Sequence, residues 1–181
     1  MTDAATPDAH TPARVADATT QRHQETAMTD LKTLDHEQFI EQACDLARTA
    51  GERGDGPYGS LLVVDGEAIM EETNREHTND DLALHPELTL ARRAKSELDA
   101  ETAGEAVMYT STEPCPMCST GMAYAGLDAV VYSVSGERAV QLRGGGTGGI
   151  PSEEVFDRLG ADIDVVGPVL LEEGTAVHEE Y

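Results

Sequence analysis

The chain has 181 residues, is 39% hydrophobic, and carries 12 basic against 35 acidic side chains for a formal charge of −23. That length and apolar content suit one packed domain and exclude a disordered polymer. A surface this acidic repels phosphate backbones, so nucleic acid is not the expected partner. No apolar run approaches the ~20 residues of a membrane span, no signal-peptide core opens the chain, and three cysteines do not make a disulfide framework. A cytoplasmic, reducing home is therefore expected. The acids are spread along the whole chain, which reads as a solvated, salt-adapted surface, and no D-x-D-x-D-G calcium loop is present. High salt would screen the repulsion towards nucleic acid.

Residues 1–32 are rich in Ala, Thr, Asp and Pro and hold hardly any large apolar side chain, so they read as a disordered acidic tail. Met-Thr-Asp occurs at Met1 and again at Met28, a second place where translation can start. The domain then occupies 33–181. Structure is expected from about Asp35, where Asp35 and Gln38 form a capping-box pattern and Phe39, Ile40, Ala43, Leu46 and Ala47 recur at helical spacing. Cys44 reads as a small buried hydrophobe on this helix, and Gly51 and Gly54 as its stop. Strands over 59–64 and 67–73 flank Asp65-Gly66, a strong hairpin signal.

A second helix is expected from His85 to about Ala100, with Pro86 in its first turn. A buried strand over 107–111 precedes a helix over 115–124, again with a proline, Pro116, just inside its start. Another buried strand covers 129–134. Gly144 to Gly149 contains five glycines but lacks the Lys-Ser/Thr ending of a phosphate-binding loop, so it reads as a flexible connection. A helix over 152–159, a strand over 162–166 and a helix from Leu170 to the end complete the chain. Strands alternating with helices predict a three-layer α/β domain with a mixed sheet whose first two strands are antiparallel.

Two segments carry chemistry: His85-Pro86-Glu87 and Pro114-Cys115-Pro116-Met117-Cys118. H-x-E alone is weak and C-x-x-C is ambiguous, but H-x-E followed by P-C-x-x-C is the signature of zinc base deaminases. One imidazole and two thiolates leave a fourth coordination position for water. Cys115 and Cys118, one turn apart at a helix N-terminus, gain from the positive end of the helix dipole. Zinc coordination lets water give up a proton near neutral pH, and Glu87 lies within reach of that water as the proton carrier. A purely structural zinc site would need a fourth ligand, which His77 or His178 could supply. A redox Cys pair would need a βαβ context that does not precede these cysteines.

On these motifs the chain resembles the cytidine deaminase superfamily, in its branch of nucleobase, nucleoside and tRNA adenosine deaminases. The likeness runs from about Phe39 to the C-terminus and is strongest over Tyr109-Thr-Ser-Thr-Glu-Pro-Cys-Pro-Met-Cys118. Pro57-Tyr58-Gly59, Asn74, Ala125-Gly126-Leu127 and Val130-Val131-Tyr132 also match the family pattern. The resemblance implies a three-layer α-β-α fold with a five-stranded sheet, both zinc helices on one face, and a Zn2+ cofactor. It implies that Asn74 bonds the base or sugar, that Tyr58 lines the pocket, and that the protein is a homodimer. The family's H-A-E is His-Pro-Glu here, and a Trp usual in base-deaminating relatives is Tyr124, which leaves pocket size and substrate open.

The C-terminal run from Leu171 to Tyr181 has no Lys or Arg, unlike the tRNA-editing relatives. It resembles the guanine deaminase type, in which this segment crosses to a partner and an aromatic, here Tyr181, closes the pocket. The expected substrate is a small nucleobase or nucleoside, guanine ahead of cytosine or cytidine. The alternatives are tRNA adenosine-to-inosine editing and a non-catalytic zinc module. The apolar stretch around Met122 and Leu127 is the one interface signal in the residues themselves.

Overall fold

The computed structural model describes residues 31–145 and 149–181. The tail, up to residue 30, and the second Met-Thr-Asp lie outside the described residues, as do the central three positions of the glycine run. A short 3-10 turn at Leu31–Thr33 precedes the first helix, and Leu31 and Leu34 pack against the core. Residues 31 and 32, expected to belong to the tail, thus lie in this turn.

Helix α1 (His36–Glu52) is capped by Asp35, whose carboxylate accepts from Gln38 N at 3.1 Å, an interaction worth about 1 kcal/mol. Strands β1 (Gly59–Val64) and β2 (Glu67–Thr73) pair antiparallel. The two turn residues, Asp65 and Gly66, both have positive φ, at 52° and 75°, as a tight hairpin turn requires. Then come α2 (Glu76–Asn79), α3 (Pro86–Glu97), α4 (Ala100–Ala103), β3 (Val107–Thr112), α5 (Pro116–Ala125) and β4 (Ala129–Val134). The chain closes with α6 (Gly136–Leu142), α7 (Ser152–Leu159), β5 (Asp164–Val166) and α8 (Leu171–Glu180).

The sheet has five strands in the order β2-β1-β3-β4-β5. β1 runs antiparallel to β2 and β3, while β3, β4 and β5 are parallel, so the sheet is mixed. Alternate residues of the central strands face opposite ways. Leu61, Val63, Val107, Tyr109 and Val131 meet Phe39, Ile40, Ala43 and Ala47 of α1 and Val177 of α8. Leu62, Met108 and Val130 meet Leu90, Ala91 and Ala94 of α3, Met122 of α5 and Phe156 of α7. The result is three layers, α on β on α, with the two motif-bearing helices on one face. α1 lies so close to β1 that a Cβ on Gly59 would stand 2.5 Å from Ala43 O and Ala47 N.

Several expectations need correction. α1 runs through Gly51 and ends at Glu52, because Gly54 (φ 91°) is the residue that leaves the helical conformation. α3 stops at Glu97 rather than Ala100, since Leu98 is extended and Asp99 caps α4. The last strand begins at Asp164, two residues late. The sequence reading had no counterpart for α2, α4 and α6, which are short or poor in buried apolar residues. Met122 and Leu127 are themselves buried in the core, at 0% and 3% exposure. Among the described residues, no helix is long and apolar enough to cross a membrane.

Candidate active site

Both motifs stand at helix N-termini. His85 is the N-cap of α3 and Cys115 the N-cap of α5, each extended and each followed by a proline, whose fixed φ suits the first helical position. α3 and α5 pack side by side on the same sheet face, and this brings the two N-termini together. Cys118, one turn into α5, is fully buried.

His85 Nδ1 lies 3.8 Å from Cys115 Sγ and 3.6 Å from Cys118 Sγ, and the two sulfurs are 3.5 Å apart. Among the described residues these three form the group that can hold a metal ion, and a His-Cys-Cys donor set with thiolate character suits zinc. The other His85 nitrogen, Nε2, is 3.1 Å from Glu76 Oε2. A carboxylate there fixes the tautomer that leaves Nδ1 free to ligate. His178, weighed above as a fourth ligand, is committed elsewhere: its Nε2 is 2.8 Å from Thr112 Oγ1. His77 lines the adjoining cavity but lies outside the donor group.

The thiol of Cys115 is pulled down to about 4, first by its hydrogen-bond contact with Cys118 and then by His85. Cys118, held against Cys115, buried and beside Glu87, is pushed well up. His85 is raised to about 9, chiefly by its bond to Cys115. Metal ligation requires both thiols as thiolates and the imidazole neutral, so binding a cation there releases the protons they carry.

Glu87 is buried beside this cluster. Its Oε2 is 3.4 Å from Cys118 Sγ, and its Oε1 is 3.0 Å from the Thr110 hydroxyl, which itself accepts from Ser60 Oγ at 2.9 Å. Burial raises the Glu87 carboxyl above its ordinary range. The cluster opens onto a cavity of roughly 850 Å³ lined by Tyr58, His85, Glu87, Thr112, Cys115 and Arg143, among others, within the ~300–1,000 Å³ of small-molecule sites.

Tyr58 is held at the cavity wall with its ring edge-on to His178 at 5.7 Å and under the Arg143 guanidinium at 5.2 Å. Asn74 is buried, its Oδ1 accepting from Glu76 N at 2.9 Å, while Nδ2 has no partner among the described residues. Tyr181 is not brought to this cavity: its ring lies over Gly51 of α1, where a Cβ would stand 2.5 Å from it. Tyr124 is 73% exposed.

Glu76 and Arg143 belong to no motif in the sequence, and Thr110, Thr112 and Glu113, though within the family-like stretch from Tyr109 to Cys118, carry no role there. Three successive hydroxyl residues, Thr110-Ser111-Thr112, closing an otherwise apolar strand were the available signal, since buried hydroxyls need partners. Glu113 lines the cavity and fastens its far wall, accepting from Gly136 N at 2.8 Å and from Ser152 N and Oγ at 2.8 and 2.9 Å. It thereby ties the first residues of α6 and α7 to the strand that leads into the cysteine motif. No spacing rule reveals that contact.

Residues 33–134 match the model of the cytidine and deoxycytidylate deaminase zinc-binding region. The guanine deaminase of Bacillus subtilis (strain 168) is 38% identical over 101 residues, 55% of this chain and 65% of that enzyme, just under two thirds of its length. The tRNA-specific adenosine deaminase of Agrobacterium fabrum is 33% identical over 107 residues, 59% of this chain and 70% of the relative. A solved structure from studies of A-to-I editing by tRNA:A34 deaminases superposes with a TM-score of 0.63 at 28% identity, covering 77% of this chain and 98% of the other.

Proposed function

The chain belongs to the cytidine and deoxycytidylate deaminase family, and from that premise we propose that it is a zinc-dependent hydrolase releasing ammonia from a free nucleobase or nucleoside. Guanine is the favoured substrate and cytosine or cytidine the next. The observation that carries this reading is Glu87: a buried carboxylate 3.4 Å from Cys118 Sγ, beside three metal donors and open to a cavity of small-molecule size.

His85, Cys115 and Cys118 would hold zinc, which when bound would supply the Lewis acidity that makes water a nucleophile near neutral pH. Glu87 takes one proton from the attacking water and gives it to the ring nitrogen beside the amino-bearing carbon, as the oxygen bonds to that carbon. It then moves the second proton from the new hydroxyl to the departing amine. The C–N bond breaks, leaving a carbonyl and ammonia. Thr110 holds the carboxylate in place during both transfers.

Asn74 Nδ2, a buried donor with no partner among the described residues, suits a carbonyl or ring nitrogen of the base, because an unpaired buried donor costs about 1–3 kcal/mol. Tyr58 offers the base a ring wall. Tyr181, remote from the cavity of its own chain, is assigned to a partner's pocket in a homodimer. Light scattering, with and without Tyr181, tests that assignment. A reducing cytoplasm suits free thiol ligands.

The tRNA reading is second. α8 carries four glutamates and no Lys or Arg, and the whole chain is at −23, which disfavours a polyanion. Ammonia release from a panel of bases and nucleosides at high salt, with tRNA as a parallel arm, tests the proposal. Turnover of guanine or cytosine is expected; turnover of tRNA alone would transfer the assignment to the runner-up. Zinc binding with no turnover of any substrate would favour a structural module. Glu87→Ala should lower turnover by about two to four orders of magnitude while zinc content stays at the wild-type level.

A further inference from the structure

The carboxylate that orients His85 stands on an element with little hold of its own. α2 spans four residues and buries none of them, and a helix so short has no intrinsic stability in water. Its place is set by tethers. Asn74 Oδ1 accepts from Glu76 N, and the backbone closes through Arg75 N to Leu84 O and Asp81 N to Glu76 O, both at 3.1 Å. The tether from outside this loop is Asp55, 23 residues before Thr78 in sequence. Asp55 Oδ1 accepts from Thr78 N and Oδ2 from Thr78 Oγ1, both at 2.9 Å. Arg53 Nε closes the set at 2.8 Å, and its guanidinium also reaches Thr73 Oγ1 and the Asn74 carbonyl. The Asp55 side chain is entirely buried, so its two bonds to Thr78 are partly shielded from water and strengthened by that.

We propose that Asp55 is a positioning residue for the metal centre: it pins α2 so that Glu76 grips His85 Nε2 and presents Nδ1 to the two thiols. The link runs from Asp55 to Thr78, along the backbone of α2 to Glu76, and from Glu76 to His85. An outer partner of a ligating histidine matters to metal affinity by about 10–100-fold. A residue that acts only by holding that partner in place should share the same loss and add nothing to it. The inference rests on the zinc site of the preceding section and on no substrate.

The test is a mutant cycle read as zinc affinity, by competition with a chromogenic chelator, and as the ligand-field spectrum of the cobalt-substituted protein. Glu76→Ala and Asp55→Ala should each weaken zinc by about 10–100-fold and alter the cobalt spectrum. The double variant should bind no more than about twofold more weakly than Glu76→Ala alone, since coupled residues are non-additive. Thr78→Val, which removes one hydroxyl bond and keeps its volume, should give a smaller loss in the same cycle, and it decides the matter if Asp55→Ala does not fold. Wild-type zinc affinity in both Asp55→Ala and Thr78→Val, or a double variant whose loss equals the product of the single losses, would overturn the inference while leaving the deaminase proposal standing. If the unaltered protein fails to bind zinc, both fall together. If it binds zinc normally and releases no ammonia, only the deaminase proposal falls.

Discussion

At Glu87 two demands meet: the carboxylate must be dry enough to carry a proton near neutrality, and it must face one direction. Burial raises the carboxyl above its ordinary range, which favours the first, and the Thr110 hydroxyl, 3.0 Å away, serves the second. Thr110→Val leaves Glu87 without that donor and Ser60 without its acceptor. A hydrogen bond to a charged group is worth about 1.5–3 kcal/mol, so kcat should fall tenfold or more with zinc content unchanged, and Thr110→Ser should restore most of it. Steady-state ammonia release on the three proteins, alongside metal analysis, checks this. His178 makes a different prediction. Burial, aided by the charge of Arg143, lowers its pKa from 6.5 to about 4. Between those values the unfolded chain binds the proton and the folded one does not. The contribution to stability is therefore full above about pH 6.5 and is lost as pH falls towards 4, by about 3 kcal/mol. Urea unfolding of wild type and His178→Gln across that range should show a slope in the first that is flattened in the second.

Elements with a strong hydrophobic period were legible in the chain, and short polar ones were not. β1, β2, β4 and α7 occupy the expected residues, because their apolar runs are bounded by turn signals such as Asp65-Gly66 and Gly160. α2 and α6 escaped because their positions are set by distant carboxylates, Asp55 and Glu113, rather than by an apolar stripe. Gly51 misled for a related reason. It looks like a helix stop but stays helical, the space above it being filled by the ring of Tyr181. The two close-approach glycines should respond differently to alanine. At Gly59 the new methyl meets the backbone of α1 at 2.5 Å, which cannot yield locally. Gly59→Ala is expected to cost about 1–3 kcal/mol, seen as a lower urea midpoint. Gly51→Ala should cost less, since a terminal side chain can swing aside.

For the whole molecule the dominant quantity is charge. At −23 the folded chain repels itself, and the repulsion is long-ranged in dilute buffer, with a screening length of ~30 Å at 0.01 M salt against ~3 Å at 1 M. Thermal melts in rising KCl should therefore show a Tm that climbs steeply at first and then flattens as screening completes. A Tm indifferent to salt would refute the salt-adapted reading of this surface. The same field bears on substrate, because a neutral base approaches without penalty while a polyanion does not. Ammonia release from nucleobases should thus vary little with salt, and any turnover of tRNA should rise with it.

The residues of the metal cluster and the carboxylate beside it could be named from the sequence because their chemistry is local. Two prolines and the spacing of His85, Glu87, Cys115 and Cys118 mark two helix starts, and the donor set itself names zinc. The mixed three-layer architecture followed from alternation of strand and helix periods. Only the tertiary structure decided what surrounds that cluster. It brought Glu76 to His85 across nine residues and Thr110 to Glu87 across 23, and it set Tyr181 on α1 away from the cavity. Those contacts join residues on separate elements, through hydrogen bonds that leave no period in the chain, and they exist only once the layers have packed.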